Sequence, residues 1–270
     1  MRIIILGSNG MLGNYLKTYL GSKYELLALT RKDIDLSIID GLDILNFFRG
    51  KVARADIIIN ASGIIKQRKY ATIDMIMVNS IFPHILAQIK NEVGCNIIHI
   101  TTDCVFSGNK GGYVETDEHD CTDDYGKSKS LGENPTLTII RTSIIGEEKT
   151  NKKSLLEWVK SNKGKTIDGF DNHLWNGVTC LELTKFMDQI IQKKTFWAGV
   201  RHIFSPNIVS KYELVNKINE IYNLNITINK KSNAVNCRRN LSTLFNDFFI
   251  TKPLTDQITE LKKFKLAEVN

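Results

Sequence analysis

The sequence predicts an α/β fold: a doubly wound parallel sheet of the Rossmann type with a smaller C-terminal substrate-binding α/β subdomain. Three observations carry that expectation. Strand-like apolar runs alternate with amphipathic helical stretches over the first half of the chain, those runs are apolar on both faces, and a glycine turn joins the first strand to the first helix. Strands buried on both faces need helices above and below them, which parallel strands joined by right-handed crossovers supply.

Arg2–Gly7 is a short β-branched run, Met11–Leu20 has helical apolar spacing, Tyr24–Thr30 is apolar again, and Ile39–Phe48 reads as helix. Asp56–Asn60 follows as strand, Ile73–Ile89 as one long helix, Cys95–Thr101 as strand, Asp124–Gly132 as helix and Leu137–Arg141 as strand. Beyond about residue 150 the alternation loosens. Helices are expected at Ser154–Ser161, Leu181–Lys193, Lys211–Tyr222 and Thr255–Phe264. Val200–Phe204 is a strand candidate for the edge of the first sheet, and Ile226–Ile228 one for pairing within the second part. We therefore assign residues 1–150 to a dinucleotide-binding domain, with residues about 197–212 returning to it, and residues 151–270 mainly to substrate binding. No Pro-rich linker separates the parts, so they are expected to pack tightly.

Composition narrows the class. Of 270 residues, 42% are hydrophobic and 24% charged, which excludes collagen-like, disordered and disulfide-scaffold chains. No apolar run approaches the ~18–20 residues of a membrane span. Arg2 is followed only by Ile3–Leu6 before Gly7, too short for the apolar part of a secretion signal, so the expected location is the cytoplasm. Cys95, Cys104, Cys121, Cys180 and Cys237 are odd in number and form no C-x-x-C pair, which speaks against a disulfide framework and against a metal site. The net charge of +7 is scattered in short groups such as Lys152-Lys153 and Arg238-Arg239. That pattern predicts no nucleic-acid partner and favours a polyanionic small molecule.

Gly7-Ser8-Asn9-Gly10-Met11-Leu12-Gly13 has the spacing G-x-x-G-x-x-G directly between strand and helix. Residues without Cβ let the backbone bend and approach a pyrophosphate, which the helix N-terminus then meets with free N–H groups. At the end of the second strand an acidic residue would bond the ribose of NAD, whereas an arginine suits a 2′-phosphate. Arg31 stands there, so NADP(H) is the expected cofactor, with Asp33 and Asp35 nearby as a counter-signal.

Tyr125 and Lys129 are spaced i, i+4 and share one helical face. A free phenol titrates near 10, and bringing it toward 7 takes roughly 4 kcal/mol of phenolate stabilisation, part of which a neighbouring ammonium can supply. Tyr125 could then hand a proton to a carbonyl oxygen as a nicotinamide delivers hydride to the carbon. Thr101 and Thr102 end the fourth strand, where their hydroxyls face the ligand cleft of a doubly wound sheet.

The glycine loop, Thr102-Asp103-Cys104-Val105-Phe106, the Tyr125/Lys129 pair and Arg141-Thr142-Ser143 together resemble the extended short-chain dehydrogenase/reductases, most nearly the branch of the dTDP-4-dehydrorhamnose reductases. The likeness is strong over residues 1–146 and looser beyond. It implies reduction of a 4-keto-6-deoxy sugar carried on a nucleoside diphosphate, by a homodimer. Thr102, Tyr125 and Lys129 would be its catalytic triad. Gly7, Asn9, Gly10, Met11, Leu12, Gly13, Asn60, Ala61, Ser62 and Asn79 would surround the cofactor together with Arg31.

On the substrate side the resemblance implies Gln67, Val105, Phe106, His173, Trp175, Asn176, Arg238 and Arg239, the arginines for the diphosphate. The segments Ile64–Gln67 and Asn172–Thr179 look more like relatives acting on UDP-linked N-acetylated 6-deoxy sugars, such as UDP-2-acetamido-2,6-dideoxy-hexos-4-ulose. Cys104 stands where GDP-fucose synthases carry a proton-exchanging cysteine, and a thiolate beside a 4-keto sugar could epimerise C3, with His173 as its acid partner. Two other classes compete. A non-catalytic NADP-binding regulatory subunit would not need Thr102, Tyr125 and Lys129. A 4,6-dehydratase needs an Asp-Glu pair after the threonine, where this chain has Asp103-Cys104.

Overall fold

The computed structural model describes residues 1–66, 70–150, 152–245 and 251–267. The chain opens with β1 (Arg2–Leu6), α1 (Met11–Leu20), β2 (Glu25–Leu29), α2 (Gly41–Arg49) and β3 (Ile57–Asn60). Next come α3 (Thr72–Met75), a π-helical segment Ile76–Ile81, α4 (Phe82–Val93), β4 (Asn96–Thr102), a 3₁₀ turn Asp103–Val105, α5 (Asp124–Leu131) and β5 (Thr138–Thr142). The second half contains β6 (Ile144–Ile145), α6 (Leu155–Ser161), β7 (Thr166–Phe170), β8 (His173–Trp175), β9 (Val178–Thr179), α7 (Cys180–Lys193) and β10 (Gly199–His202). It closes with β11 (Val209–Ser210), α8 (Lys211–Tyr222), β12 (Thr227–Lys231), β13 (Cys237–Arg238) and α9 (Leu254–Lys263).

Six parallel strands form the main sheet in the order β10-β5-β4-β3-β1-β2. The winding reverses between β1 and β3, and the crevice beyond the carboxyl ends of strands at such a reversal is where ligands bind in this architecture. The strand sequences explain the layering. Ile3, Ile5, Ile57, Ile59, Ile98 and Ile100 point to one face and pack with Leu12, Tyr15 and Leu16 of α1 and Met187, Ile190 and Ile191 of α7. Ile4, Ile58, Ile97 and Ile139 point to the other face, against Ile44 and Phe48 of α2 and Phe82, Leu86 and Ile89 of α4. Each such fully buried isoleucine contributes roughly 1.5–3 kcal/mol relative to exposure.

β10 lies at the edge of that sheet, with Gly199–His202 paired to Thr138–Arg141. The smaller sheets are β11-β8-β13, β12-β7 and β6-β9. Their helices are not a separate globule: Leu214, Val215 and Ile218 of α8 and Leu254, Ile258 and Leu261 of α9 belong to the same apolar cluster as Ile3 and Ile5.

The long helix expected over Ile73–Ile89 is not uniform, because the six residues Ile76–Ile81 are π-helical. Periodicity alone does not register one wide turn, yet that turn re-aims Asn79 and Ser80. Contrary to the expectation of no span-length apolar run, the continuous helical stretch Thr72–Val93, 22 residues, is long and apolar enough to cross a membrane by length and composition. Here Phe82, Leu86 and Ile89 are spent on the core of the second sheet face.

Candidate active site

The turn between β1 and α1 is built on glycine because neighbouring backbone leaves no room for more. Gly7 has φ +73°, and a Cβ on it would lie 2.8 Å from Ser62 Cα. A Cβ on Gly13 would lie 2.2 Å from the Gly7 carbonyl oxygen. Gly10, which has no side chain, caps α1, so the first-turn amides face outward with the positive end of the helix dipole. Asn9 is held by Lys17 Nζ on its Oδ1 at 2.9 Å and by Asn14 Nδ2 on its carbonyl at 3.2 Å.

Opposite, the Ala61 amide donates to the Leu6 carbonyl at 3.1 Å, and Asn60 Oδ1 accepts from the Ser62 amide at 3.1 Å and the Ser62 hydroxyl at 2.5 Å. These turns flank a cavity of about 660 Å³, lined by Gly7, Asn9, Gly10, Met11 and Leu12 at one end and by Thr101, Thr102, Cys104, Tyr125, Lys129 and Arg239 at the other.

Tyr125 enters that cleft at the start of α5, whose N-cap Asp123 accepts from the Gly126 amide at 3.0 Å. Thr102 lines the same cleft, and its hydroxyl acts on the phenol. Thr102 is oriented in turn by the Cys104 amide, which donates to its Oγ1 at 3.2 Å, while the hydroxyl donates to Asp103 Oδ1 at 3.2 Å. Burial pushes the Tyr125 phenol well above its usual range, helped by Cys104 and Asp103. The depression expected from Lys129 is therefore not met: desolvation dominates and the shift is upward. Burial also lowers Lys129, to about 8. Its Nζ faces the Ile100 carbonyl at 3.4 Å.

Asn79, aimed by the π turn, braces this corner. Its Nδ2 donates to the Ile64 carbonyl at 2.9 Å and to Ser128 Oγ at 3.1 Å, and its Oδ1 accepts from the Ile64 amide at 2.9 Å. Gly63 closes the turn that begins at Asn60, and a Cβ there would lie 3.1 Å from Lys129 Nζ and 3.4 Å from Asn79 Oδ1.

At the substrate end, Cys104 sits 3.7 Å from Arg239 Nη1. Burial, then the neighbouring Asp103, pushes its thiol up to about 12, against the pull of Arg239. Arg239 is anchored by Nε on the Phe106 carbonyl at 2.8 Å. Lys211, at the start of α8, is a further cation facing Asp103 and Cys104 that no sequence signal marked.

Other residues expected on the substrate side take part in the fold and stand away from the cleft lining. Val105 and Phe106 are fully buried, Phe106 stacked on Tyr113 with ring centroids 4.1 Å apart. His173 packs on Phe170 at 5.0 Å with Nε2 3.3 Å from the Val235 carbonyl, and is not brought to Cys104 as an acid partner. Trp175 Nε1 donates to Ser143 Oγ at 2.8 Å, and Asn176 exchanges two 2.8 Å bonds with the Leu241 backbone. Arg238 donates to the Asn109 carbonyl at 2.7 Å. None of these six lines the cleft. Gln67 lies outside the described residues.

The protein family described as RmlD substrate binding domain matches residues 1–240. A dTDP-4-dehydrorhamnose reductase of Aggregatibacter actinomycetemcomitans is 31% identical over 234 residues, covering 78% of this chain and 76% of that protein. The spore coat polysaccharide biosynthesis protein SpsK of Bacillus subtilis (strain 168) is 28% identical over 232 residues, covering 81% and 78%. Among solved structures, a dTDP-4-dehydrorhamnose reductase from Bacillus anthracis str. Ames in complex with NADP matches with a TM-score of 0.82 at 21% identity, covering 97% of this chain and 98% of the other. Its counterpart from Clostridium acetobutylicum matches with a TM-score of 0.80 at 23% identity, covering 97% and 99%. With its glycine turn, parallel sheet and Tyr125/Lys129 helix, the chain belongs to the RmlD substrate-binding-domain family.

Proposed function

We propose that this protein reduces the C4 ketone of a nucleoside-diphosphate 4-keto-6-deoxy sugar with NADP(H). The observation that carries the reading is that Thr102, Tyr125 and Lys129 line one cleft with the glycine turn of Gly7 and Gly10. The cradle fits a dinucleotide, since its backbone approaches so closely that a Cβ at Gly7 or Gly13 would strike it. When bound, the reduced nicotinamide supplies hydride to the carbonyl carbon. Tyr125, kept protonated by burial, gives its proton to the carbonyl oxygen, and Thr102 holds that oxygen. Ketone plus hydride plus proton gives the secondary alcohol. The phenolate left behind is balanced by the buried Lys129, one helical turn on.

On the nucleotide, the segment that suggested a UDP-linked acetamido sugar spends His173, Trp175 and Asn176 on the fold. Six relatives at 27–31% identity are named dTDP-4-dehydrorhamnose reductases. Their names favour a dTDP-linked substrate. C3 epimerisation is a second reading, favoured by Cys104 lying in the cleft beside Arg239. A homodimer in the cytoplasm completes the proposal.

The test is incubation with NADPH and dTDP-, UDP- and GDP-linked 4-keto-6-deoxy sugars, following nicotinamide absorbance and then the product by NMR. NADPH consumption with the dTDP-linked sugar is expected. Nucleotide binding without consumption on any of the sugars would instead favour the regulatory subunit.

A further inference from the structure

Among the described residues, Arg141 of β5 is the largest fully buried side chain, and it stands outside the cleft lining. Glu133, just beyond α5, takes its Nε at 3.1 Å and its Nη2 at 2.5 Å. The rest of the fork goes to two imidazoles. Nη1 lies 2.8 Å from Nε2 of His202 on β10, and Nη2 lies 2.7 Å from Nε2 of His119 in the loop before α5. A guanidinium only donates, so both Nε2 atoms must accept, and each ring carries its proton on Nδ1. The far side of each ring agrees: His202 Nδ1 donates to the Ser242 carbonyl at 2.7 Å, and His119 Nδ1 to Ser130 Oγ at 2.6 Å. Two neutral histidines of one tautomer are thus dictated by their partners.

The same cluster carries the substrate-side arginine. The Phe106 ring stands edge-on to His119 and His202, with centroids 5.6 and 6.1 Å apart, and 5.1 Å from Arg141 Cζ. It is the Phe106 carbonyl that anchors Arg239 Nε. From the other side, the segment bearing Arg239 is stitched to Tyr113, whose amide donates to the Asn240 carbonyl at 3.1 Å and whose carbonyl accepts from the Ser242 amide at 2.7 Å. That segment then ends on His202. Both supports of Arg239 therefore lean on imidazoles that Arg141 holds. We infer that Arg141, His119 and His202 are positioning residues for substrate binding, which keep Arg239 at the substrate end of the cleft while both imidazoles are neutral, so that acid loosens the grip on a nucleoside diphosphate. This rests on the nucleotide-sugar reading above, with Arg239 as a cation for the diphosphate. A proton on His119 Nε2 would oppose Arg141 and turn the ring toward Glu133 Oε2, 3.6 Å away, in competition with the guanidinium. The charged groups facing His119 are Glu133, Arg141 and Asp120, and those facing His202 are Arg141, Glu115, Glu133 and Asp117. Burial first, then Arg141, holds both rings below the ordinary imidazole range against these carboxylates, His202 at about 4. His119, the more exposed of the two, is the first to take a proton as pH falls.

The test is calorimetric titration of the full chain with dTDP at pH 7.5 and pH 5.0. The ionisation of dTDP itself is common to wild type and variants, so the comparison is between their acid losses. His119→Gln offers Arg141 an amide oxygen that takes no proton, and the wild type should lose about threefold more affinity on acidification than this variant. At pH 7.5 Arg141→Lys, which cannot serve two imidazoles and a carboxylate at once, should weaken dTDP by about tenfold while NADPH affinity stays within about twofold. Thermal unfolding at each pH checks that the variants are folded, and if Arg141→Lys is not, the His119→Gln comparison alone decides. Equal acid loss in wild type and His119→Gln overturns the inference, and so does an Arg141→Lys protein that weakens dTDP and NADPH alike. Arg239→Ala separates the inference from the reading beneath it. If dTDP affinity is unchanged without Arg239, that reading falls and the inference with it. If it drops by about tenfold while the two acid losses are equal, the reading stands and the inference alone falls.

Discussion

Gly63 approaches Lys129 so closely that a Cβ there would lie 3.1 Å from Nζ, and the same atom would lie 3.4 Å from Asn79 Oδ1. The loop after β3, the π turn and α5 thus meet at one point, so that an atom added at Gly63 must push the ammonium aside. Gly63→Ala should displace it by a few tenths of an ångström. We expect NADPH-dependent kcat/KM to fall by about tenfold, while Tm moves by no more than about 3 °C. Unchanged kinetics in a folded variant would show that the position of Lys129 is not sensed.

Burial lowers Lys129 from its ordinary 10.5 to about 8. A cation whose folded pKa is depressed costs stability at pH values below the folded pKa. That cost is relieved as pH climbs through about 8 and is gone above the unfolded value. Lys129→Met removes the term. In chemical denaturation of the protein without ligand, the variant's advantage over wild type should shrink by about 3 kcal/mol between pH 7 and pH 10.5. A difference that stays flat over that window would mean the ammonium is not desolvated.

Cys104 is tested by isotope. Cys104→Ser should retain reduction of a substrate already in the right C3 configuration and should stop solvent deuterium from entering C3. Because the wild-type thiol is pushed up to about 12, its thiolate fraction, and any exchange it carries, should rise about tenfold per unit between pH 7 and pH 9. Deuterium uptake that persists in the variant would make the thiol a packing group.

How far the sequence speaks depends on whether a feature is local. The β-branched runs of β1, β3 and β4, the glycine spacing after β1 and the i, i+4 placement of Tyr125 and Lys129 are all written within a few residues, and each was legible. The aim of Asn79 was not, because it depends on a π turn that leaves the apolar pattern intact. Nor was the upward shift of the Tyr125 phenol, since desolvation belongs to the assembled cleft rather than to any neighbour in the chain. The resemblance puts Phe106 on the substrate side, yet its ring goes to Tyr113. His173 was singled out by its chemistry, and only the tertiary fold turns it to the Val235 carbonyl. Asp35 was noted beside Arg31, but only the folded loop after β2 brings its carboxylate to Arg31 Nε at 2.7 Å and the Ser37 hydroxyl at 2.6 Å.

The most direct measurement is Tyr125→Phe assayed for both NADPH binding and ketone reduction. Removal of one hydroxyl from a half-buried ring should leave nucleotide affinity within a few-fold of wild type while turnover drops by about a thousandfold or more. Turnover within tenfold of wild type in a variant that still binds NADPH would contradict the assignment of Tyr125 as proton donor, and with it the catalytic account.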